Sequence, residues 1–508
     1  MAARAEKLRR AEYGDFQTPA DLARDVCSLL AARGIRPHSI VEPTCGTGAL
    51  MLAALEQFPE VRQAIGLDIN TDYLKILKST LRRTPYADKV RLHREIFFTA
   101  DWPRILPGLP QPLLVIGNPP WVTNSALGAL GSSNLPEKSN FKNHNGIDAL
   151  TGKSNFDISE WMLLRILEWL QSAEGAIAML CKTTVARKVL EHTWKNSLRM
   201  AGAEIFEIPA MRHFGAAVNA CLLVCRSSPT ASVQDCAVYS ALSAATRRAM
   251  IGYRNARLTA DTAIYDQWQC LDGRGVYKWR SGIKHDCAKV LEVRKAGTRY
   301  INGLGEPVEI EDTCLYPMLK GSAVANGRGG TPSTWMVVTQ RSMAEDTSGI
   351  AKTAPKTWAY LQRHAQLLDR RASSIYKGRP RFCIFGVGEY SFAPWKVAIC
   401  GFYKTFAFKA IGPASGKAVV LDDTSYFLAC HSRTEAEYLA SLLGSKPAQE
   451  FLRSIVFWDA KRPITLELLR RLDLSALARV LGSEATMAKF LRVALPLFRE
   501  PAGAPATQ

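Results

Sequence analysis

The 508-residue sequence lacks any apolar run approaching the roughly 20 residues needed to cross a bilayer, so a helical membrane span is not expected. Its first ten residues are basic but lead into no apolar stretch, which argues against a secretory signal, and Glu6 and Glu12 argue against an organelle presequence. The twelve cysteines are scattered, and none forms a Cys-x-x-Cys pair. His285-Asp286-Cys287 has no second ligand pair at zinc-site spacing, so no metal is expected. Reduced thiols in a cytoplasmic protein follow from this usage. Acidic residues are short: 46 against 65 basic ones, a formal charge of +19 and a pI near 9.5. That imbalance favours a polyanionic partner, most simply nucleic acid. No long basic amphipathic helix supports a membrane surface instead. No internal repeat and no nuclease constellation are found. Thr151-Gly152-Lys153-Ser154 imitates the end of a phosphate-binding loop, but Ile147 stands where its first glycine belongs.

What is present organises around Gly117-Asn118-Pro119-Pro120-Trp121. The apolar run Leu113–Ile116 before it has the pattern of a buried strand, and two prolines force the chain out of the sheet. Asn118 then lies at a strand's carboxyl end, where open α/β sheets bind ligands. An amide, a rigid proline pair and an aromatic ring suit a planar base that carries an amino group. The same residues would also serve as a strand-ending turn with a buried Trp.

Upstream, Phe16-Gln17-Thr18-Pro19 predicts a helix capped by Thr18 with Pro19 at its first position. Ser39-Ile40-Val41-Glu42 predicts a strand leading into the Gly46-Thr47-Gly48 turn and another helix. The acidic residue before the turn and the presence of two glycines fit the nucleoside end of a cofactor better than a pyrophosphate loop. A second strand ends in Asp68-Ile69-Asn70, where an acid can take both ribose hydroxyls or merely cap a helix. A third runs near Val90–His93 and is followed by Glu95-Ile96-Phe97-Phe98. Four strands alternating with helices predict a parallel, doubly wound sheet.

Thr123 to Asn155 has no apolar period and suggests a mobile binding loop or a solvated insertion. Ser154-x-x-Asp157 predicts a capped helix carrying Trp161 and Trp169. Strands follow at 176–180, 204–208 and 218–225, with Phe214 just before the last. Ser227–Thr230 suggests a domain boundary. Beyond it, basic residues from Arg247 to Arg299 interleave with Tyr253, Trp268, Tyr277, Trp279 and Tyr300. This suits phosphate contacts plus stacking, and equally an ordinary solvated surface. Lys396 lies among aromatics in a later strand-and-turn region.

The ordered motifs Phe16–Pro19, Glu42–Gly48, Gly66-Leu67-Asp68 and Asn118–Trp121 resemble those of gamma-class S-adenosylmethionine-dependent adenine-N6 DNA methyltransferases of restriction–modification systems. The likeness spans about residues 13 to 225. Beyond it, 279–284, 316–321 and 461–465 are similar to pieces of that group's target-recognition domains. The resemblance implies a mostly parallel Rossmann-like methyltransferase sheet over 1–228 and an α+β recognition domain over 229–500; the terminal stretch 501–508 is expected to be a disordered tail. It implies that Thr18 and Pro19 meet the methionine carboxylate of S-adenosylmethionine. Glu42, Gly46 and Gly48 would surround the methionine part, Asp68 would hold the ribose and Ile69 would lie against the adenine ring. Glu95 and Ile96 stand where the family usually has an Asp that meets the cofactor's amine. Asn118, Pro119, Pro120 and Trp121 would form the catalytic turn, with Trp121 and Phe214 stacking on an extruded base. Arg280, Lys284 and Lys396 would contact duplex DNA. A separate restriction endonuclease would be a partner. The same chemistry also fits RNA amines, protein glutamine amides or cytosine N4, and a non-catalytic specificity subunit is a further reading.

Overall fold

The computed structural model describes residues 16–122, 157–227, 230, 232–327 and 332–493; the expected binding loop and tail lie outside them. The chain divides into two compact units, Met1–Thr262 and Ala263–Gln508.

The first unit is built on one ten-stranded sheet. Its strands are β1 (Ser39–Glu42), β2 (Gln63–Asp68), β3 (Val90–Arg94), β4 (Leu113–Gly117), β5 (Gly175–Lys182), β6 (Gly202–Ile208), β7 (Ala220–Arg226), β8 (Asp235–Tyr239), β9 (Ala249–Arg254) and β10 (Arg257–Thr259). They lie in the order β10-β9-β8-β6-β7-β5-β4-β1-β2-β3. β7 runs against both β5 and β6, and β9 runs against β8 and β10; all other pairings are parallel. The order reverses at β1, between β2 and β4, which opens a crevice at the carboxyl ends of these strands. Three strands extend the sheet past Ser227–Thr230, where the sequence suggested a boundary. β8 adds to the edge of β6 in parallel, with Ala203 opposite Cys236, so the compact unit closes only after β10.

Burial explains these elements. β1 and β4 are buried along their whole length, as expected of strands covered on both faces. Helix α1 (Ala20–Ala32) turns Leu22, Ala23, Val26, Cys27 and Leu30 inward at helical spacing. Helix α2 (Ala49–Gln57) follows the glycine turn, and α3 (Thr71–Leu81) buries Leu74, Leu77 and Leu81. Asn70 caps α3, its side-chain oxygen accepting from Asp72 N at 3.0 Å and Tyr73 N at 3.4 Å. Thr18 does not cap α1: Pro19 occupies that position and the cap has no side-chain bond. After β3 the chain turns rather than continuing as a strand. There Phe97, Phe98 and Trp102, in the short helix α4 (Trp102–Ile105), pack with Trp161 and Trp169 of α5 (Ile158–Trp169).

The second unit is α+β. One sheet has the order β11-β20-β17-β18, formed by Arg280–Ser281, Ser425–Cys430, Trp395–Cys400 and Lys409–Ile411. The other has the order β14-β13-β12-β16-β15-β19, formed by Pro307–Val308, Arg299–Asn302, Glu292–Ala296, Thr334–Val337, Leu315–Leu319 and Val420–Leu421. Two expectations change here. Tyr277 and Trp279 are core residues, 3% and 2% exposed, so they are not stacking platforms. The Tyr277 hydroxyl donates to Glu435 at 2.9 Å.

Lys396 is not a DNA contact: it is 1% exposed, because both faces of β17 are covered. Its ammonium donates to the Ala393 carbonyl at 2.7 Å. Burial pulls its pKa down to about 7, against a smaller opposing pull from Cys430. Below about pH 7 the lysine is charged both folded and unfolded, so the fold bears the full burial penalty. The penalty fades as pH rises from about 7 towards 10.5, where only the unfolded chain still holds the proton. Lys396→Met should therefore raise the melting temperature more below pH 7 than near pH 10.5, which thermal melts across that range will check.

Candidate active site

The carboxyl ends of β1, β2, β4 and β5 bring the sequence motifs together. After β1 the chain makes a tight turn in which Gly46 has φ +51° and Gly48 has φ +84°. A Cβ at Gly48 would lie 2.2 Å from Leu77 Cδ1, so both backbone angle and space call for glycine. Two carboxyl groups brace the turn. Glu42, 3% exposed, accepts from Met51 N in the first turn of α2 at 3.0 Å. Asp68 accepts from Gly46 N at 2.8 Å and from Asn70 N at 2.7 Å, tying the end of β2 to the turn after β1. Burial raises the Glu42 pKa well above its ordinary value; the Met51 bond opposes this and nearby Asp68 adds to it. Ile69, next in the chain, is half-buried. Gln17 reaches the same turn, its side-chain oxygen accepting from Thr47 N and Thr47 Oγ1 at 3.1 Å each.

Asn118 stands just past β4. Its Nδ2 donates to the Phe16 carbonyl at 2.7 Å and to Thr18 Oγ1 at 3.3 Å. A carbonyl can only accept, so the amide nitrogen must face Phe16 and the amide orientation is fixed. Asn118 Oδ1 is consequently left as a buried acceptor with no partner among the described residues. Thr44 Oγ1, in the Glu42–Gly48 segment, is likewise buried and unpartnered among them. Such orphans carry an energetic cost unless a ligand or water meets them. Pro119 is buried and Pro120 half-buried.

The ring of Trp121 points inward. It is 5% exposed, and its Nε1 donates to the Leu180 carbonyl at 3.3 Å. Its centroid lies 5.0 Å from that of Phe214, with the planes at 73°. Phe214 ends the short helix α6 (Ala210–Phe214) and is half-buried, and Phe16 packs against both rings. A planar base held between two rings needs about two van der Waals spacings, roughly 7 Å. In this conformation Trp121 and Phe214 touch edge to face and leave no such gap. Glu95 is exposed beyond β3, its carboxylate 3.8 Å from His93 Nδ1, and Ile96 beside it is half-buried.

Arg280 and Lys284 belong to the second unit. The Arg280 guanidinium stacks 4.2 Å from the Tyr390 ring centroid, and Lys284 is 3.5 Å from Asp286 Oδ2.

Lys182, at the end of β5, escaped the sequence reading. Its ammonium donates to the Trp121 carbonyl at 2.8 Å and to Asp157 Oδ2 at 2.6 Å. Asp157 is the N-cap of α5, and Ile158 N donates to the Val122 carbonyl at 2.9 Å. One lysine thus fixes the backbone after Asn118 and the start of α5 together. The only signal in the sequence was a cation at a strand's carboxyl end, which is too common to single out.

No family model matches the chain. The sheet order, the antiparallel β7 and the braced glycine turn after β1 define an S-adenosylmethionine-dependent methyltransferase fold. The Type II methyltransferase M.NspV of Nostoc sp. (strain ATCC 29411 / PCC 7524) is 44% identical over 471 residues, 92% of this chain and 98% of that protein. The chain belongs to this family, the type II methyltransferases, the modification enzymes of restriction–modification systems, and its methyl donor is S-adenosylmethionine. A second relative, the Type II methyltransferase M.XamI of Xanthomonas campestris pv. amaranthicola, is 31% identical over 124 residues, 24% of this chain and 22% of that protein. Among solved structures, the type IIL restriction-modification enzyme MmeI in complex with DNA aligns with 96% of this chain and 77% of its own, at 12% identity and TM-score 0.48. No helix among the described residues is long and apolar enough to cross a membrane, and no group of three or more potential metal ligands occurs among them.

The cofactor's chemistry fits the residues present. Its methionine part would meet Glu42 and its ribose hydroxyls the half-buried Asp68, and the glycine turn leaves the backbone bare for close approach.

Losing Lys182 would leave Asp157 and the Trp121 carbonyl without their cation. Lys182→Met should cost about 1–3 kcal/mol of stability. It should also lower methyl transfer by about tenfold or more, the worth of one hydrogen bond to a charged group, while cofactor affinity stays near that of the parent. Lys182→Arg should recover part of the rate. Urea unfolding, isothermal calorimetry and labelled-methyl transfer will check these three outcomes.

Proposed function

We propose that the protein is a gamma-class, site-specific DNA methyltransferase that modifies the N6 amine of adenine in duplex DNA. The observation that carries this reading is the buried, unpartnered Asn118 Oδ1, held as an acceptor by the two bonds of Nδ2. Adenine N6 is a poor nucleophile because its lone pair is delocalised into the ring. Asn118 Oδ1 and the Pro119 carbonyl would each accept one N6 hydrogen. That localises the lone pair and stabilises positive charge as it grows on nitrogen. S-adenosylmethionine supplies the electrophilic methyl group. The chain's part is positioning and charge stabilisation, and a general base contributes little to such a transfer.

The cofactor would be held by Thr18 and Pro19 at its carboxylate, by Glu42, Gly46 and Gly48 at its methionine part, and by Asp68 and Ile69 at its nucleoside. Glu95 and Ile96 would meet its adenine amine. Both Asp68 oxygens take backbone N–H groups, which fixes the carboxylate at the end of β2.

A base inside the duplex cannot reach this crevice, so the target would be flipped out at a cost of a few kcal/mol. Stacking would return about 1–3 kcal/mol. Since Trp121 and Phe214 touch in the present conformation, base entry would part them, and Phe214 is the less buried of the two rings. The second unit, with Arg280 and Lys284 as candidate contacts, would bind the duplex and read its sequence, and a separate restriction endonuclease would be the counterpart enzyme.

Asn118→Ala tests the amine clamp. It should abolish transfer of labelled methyl groups to duplex DNA, by more than 100-fold on the scale of a lost oxyanion-type contact, with S-adenosylmethionine binding retained. Parent-level transfer by this variant would remove Asn118 from the chemistry.

A further inference from the structure

Two irregular loops of the second unit come together beside β17. The first, 401–406, follows that strand; the second, 457–463, precedes the short helix Leu466–Arg470. They are joined by Ile464 N donating to the Gly401 carbonyl at 3.4 Å and by Phe406 packing on Trp458 at 5.1 Å. At their junction the Arg462 guanidinium lies between two rings, 5.1 Å from the Phe402 centroid and 4.8 Å from that of Tyr426. It also donates to the Asp423 carbonyl. Gly401 makes room for this: a Cβ there would lie 2.8 Å from Arg462 Nε and 3.0 Å from Tyr426 Cε2.

The product is an aromatic tip underlaid by a fixed cation. Phe402 is 41% exposed and Tyr403 is 40% exposed, among the few large apolar side chains that the described residues leave open to solvent. Lys404 and Lys461 are exposed beside them, with Asp459 as the acidic neighbour in the second loop. Exposed aromatics normally cost solubility, and here cations outnumber acids around them, with Lys404, Lys461 and Arg462 against Asp459. Residues 263–508 carry 34 lysines and arginines against 22 aspartates and glutamates, so the unit that bears the tip holds most of the chain's excess positive charge. Flat rings among cations match what a duplex presents at its surface, sugar faces and thymine methyl groups beside phosphates.

We infer that Phe402 and Tyr403, flanked by Lys404, Lys461 and Arg462, form a contact surface for duplex DNA. This rests on the duplex substrate proposed above and assigns the contact to the aromatic pair Phe402-Tyr403, which no motif marked, together with the loop that carries Lys461 and Arg462. The rings supply contact that does not depend on salt, and the lysines neutralise phosphates and release counterions.

Fluorescence anisotropy with a mixed-sequence duplex oligonucleotide, across a range of salt, separates the two contributions. The Phe402→Ala/Tyr403→Ala double variant should bind about tenfold more weakly, with the parent's slope of log K against log salt. Lys404→Gln/Lys461→Gln should flatten that slope by roughly 1.8, as two lost phosphate contacts require. All four side chains are exposed, so parent-like melting temperatures are expected, as is parent-like transfer at saturating DNA. Parent-like affinity and slope in both variants would overturn the contact surface while leaving the methyltransferase reading intact. So would losses seen with an RNA hairpin but not with the duplex. Failure of the parent protein itself to bind duplex DNA would instead overturn the DNA reading and this contact with it.

Discussion

The first unit depends on the way Asn118 is held. Its amide nitrogen is spent on the Phe16 carbonyl and Thr18 hydroxyl, about a hundred residues earlier in the chain. That leaves the oxygen buried and unsatisfied among the described residues. A fold tolerates such an acceptor when something else meets it, and an amine carrying two hydrogens is the matching chemistry. The surroundings serve this placement. β4 is buried along its length, and the two prolines stop its ladder. Lys182 pins the next carbonyl, and α1 starts where it must for Phe16 and Thr18 to reach the amide.

The cofactor side follows the same logic of strand ends. The turn after β1 is held from three directions, by Glu42 from its own strand, Asp68 from β2 and Gln17 from the segment before α1. Glu42 and Asp68 show two settings for a carboxyl group in the crevice. Burial pushes the Glu42 pKa up, and Asp68 accepts from two backbone N–H groups.

Much of this was legible in the sequence, for local reasons. The runs Ser39–Glu42 and Leu113–Gly117 could only be buried strands, and Gly46 and Gly48 marked a turn whose angles do require glycine. What failed depended on distant contacts. Thr18 looked like a helix cap, but Asn118 takes its hydroxyl into another bond and Pro19 takes the cap position. Lys396, Tyr277 and Trp279 looked like a basic and aromatic nucleic-acid surface. Composition cannot tell which face of a strand is covered, and β17 is covered on both. The edge-to-face contact of Trp121 with Phe214, and the indole N–H donating to Leu180, likewise join residues far apart in the chain and carry no local signal. The sheet's continuation through β8 to β10 was hidden because a Ser- and Pro-containing stretch looks the same whether it links two domains or two strands.

The central claim is that the Asn118 turn clamps the N6 amine of adenine in DNA. Modification-sensitive sequencing of DNA from a host expressing the protein tests it most directly. The predicted result is N6-methyladenine at one recurring sequence, absent when the host carries Asn118→Ala. N4-methylcytosine at that sequence, or unmodified DNA from a host making active protein, would contradict it.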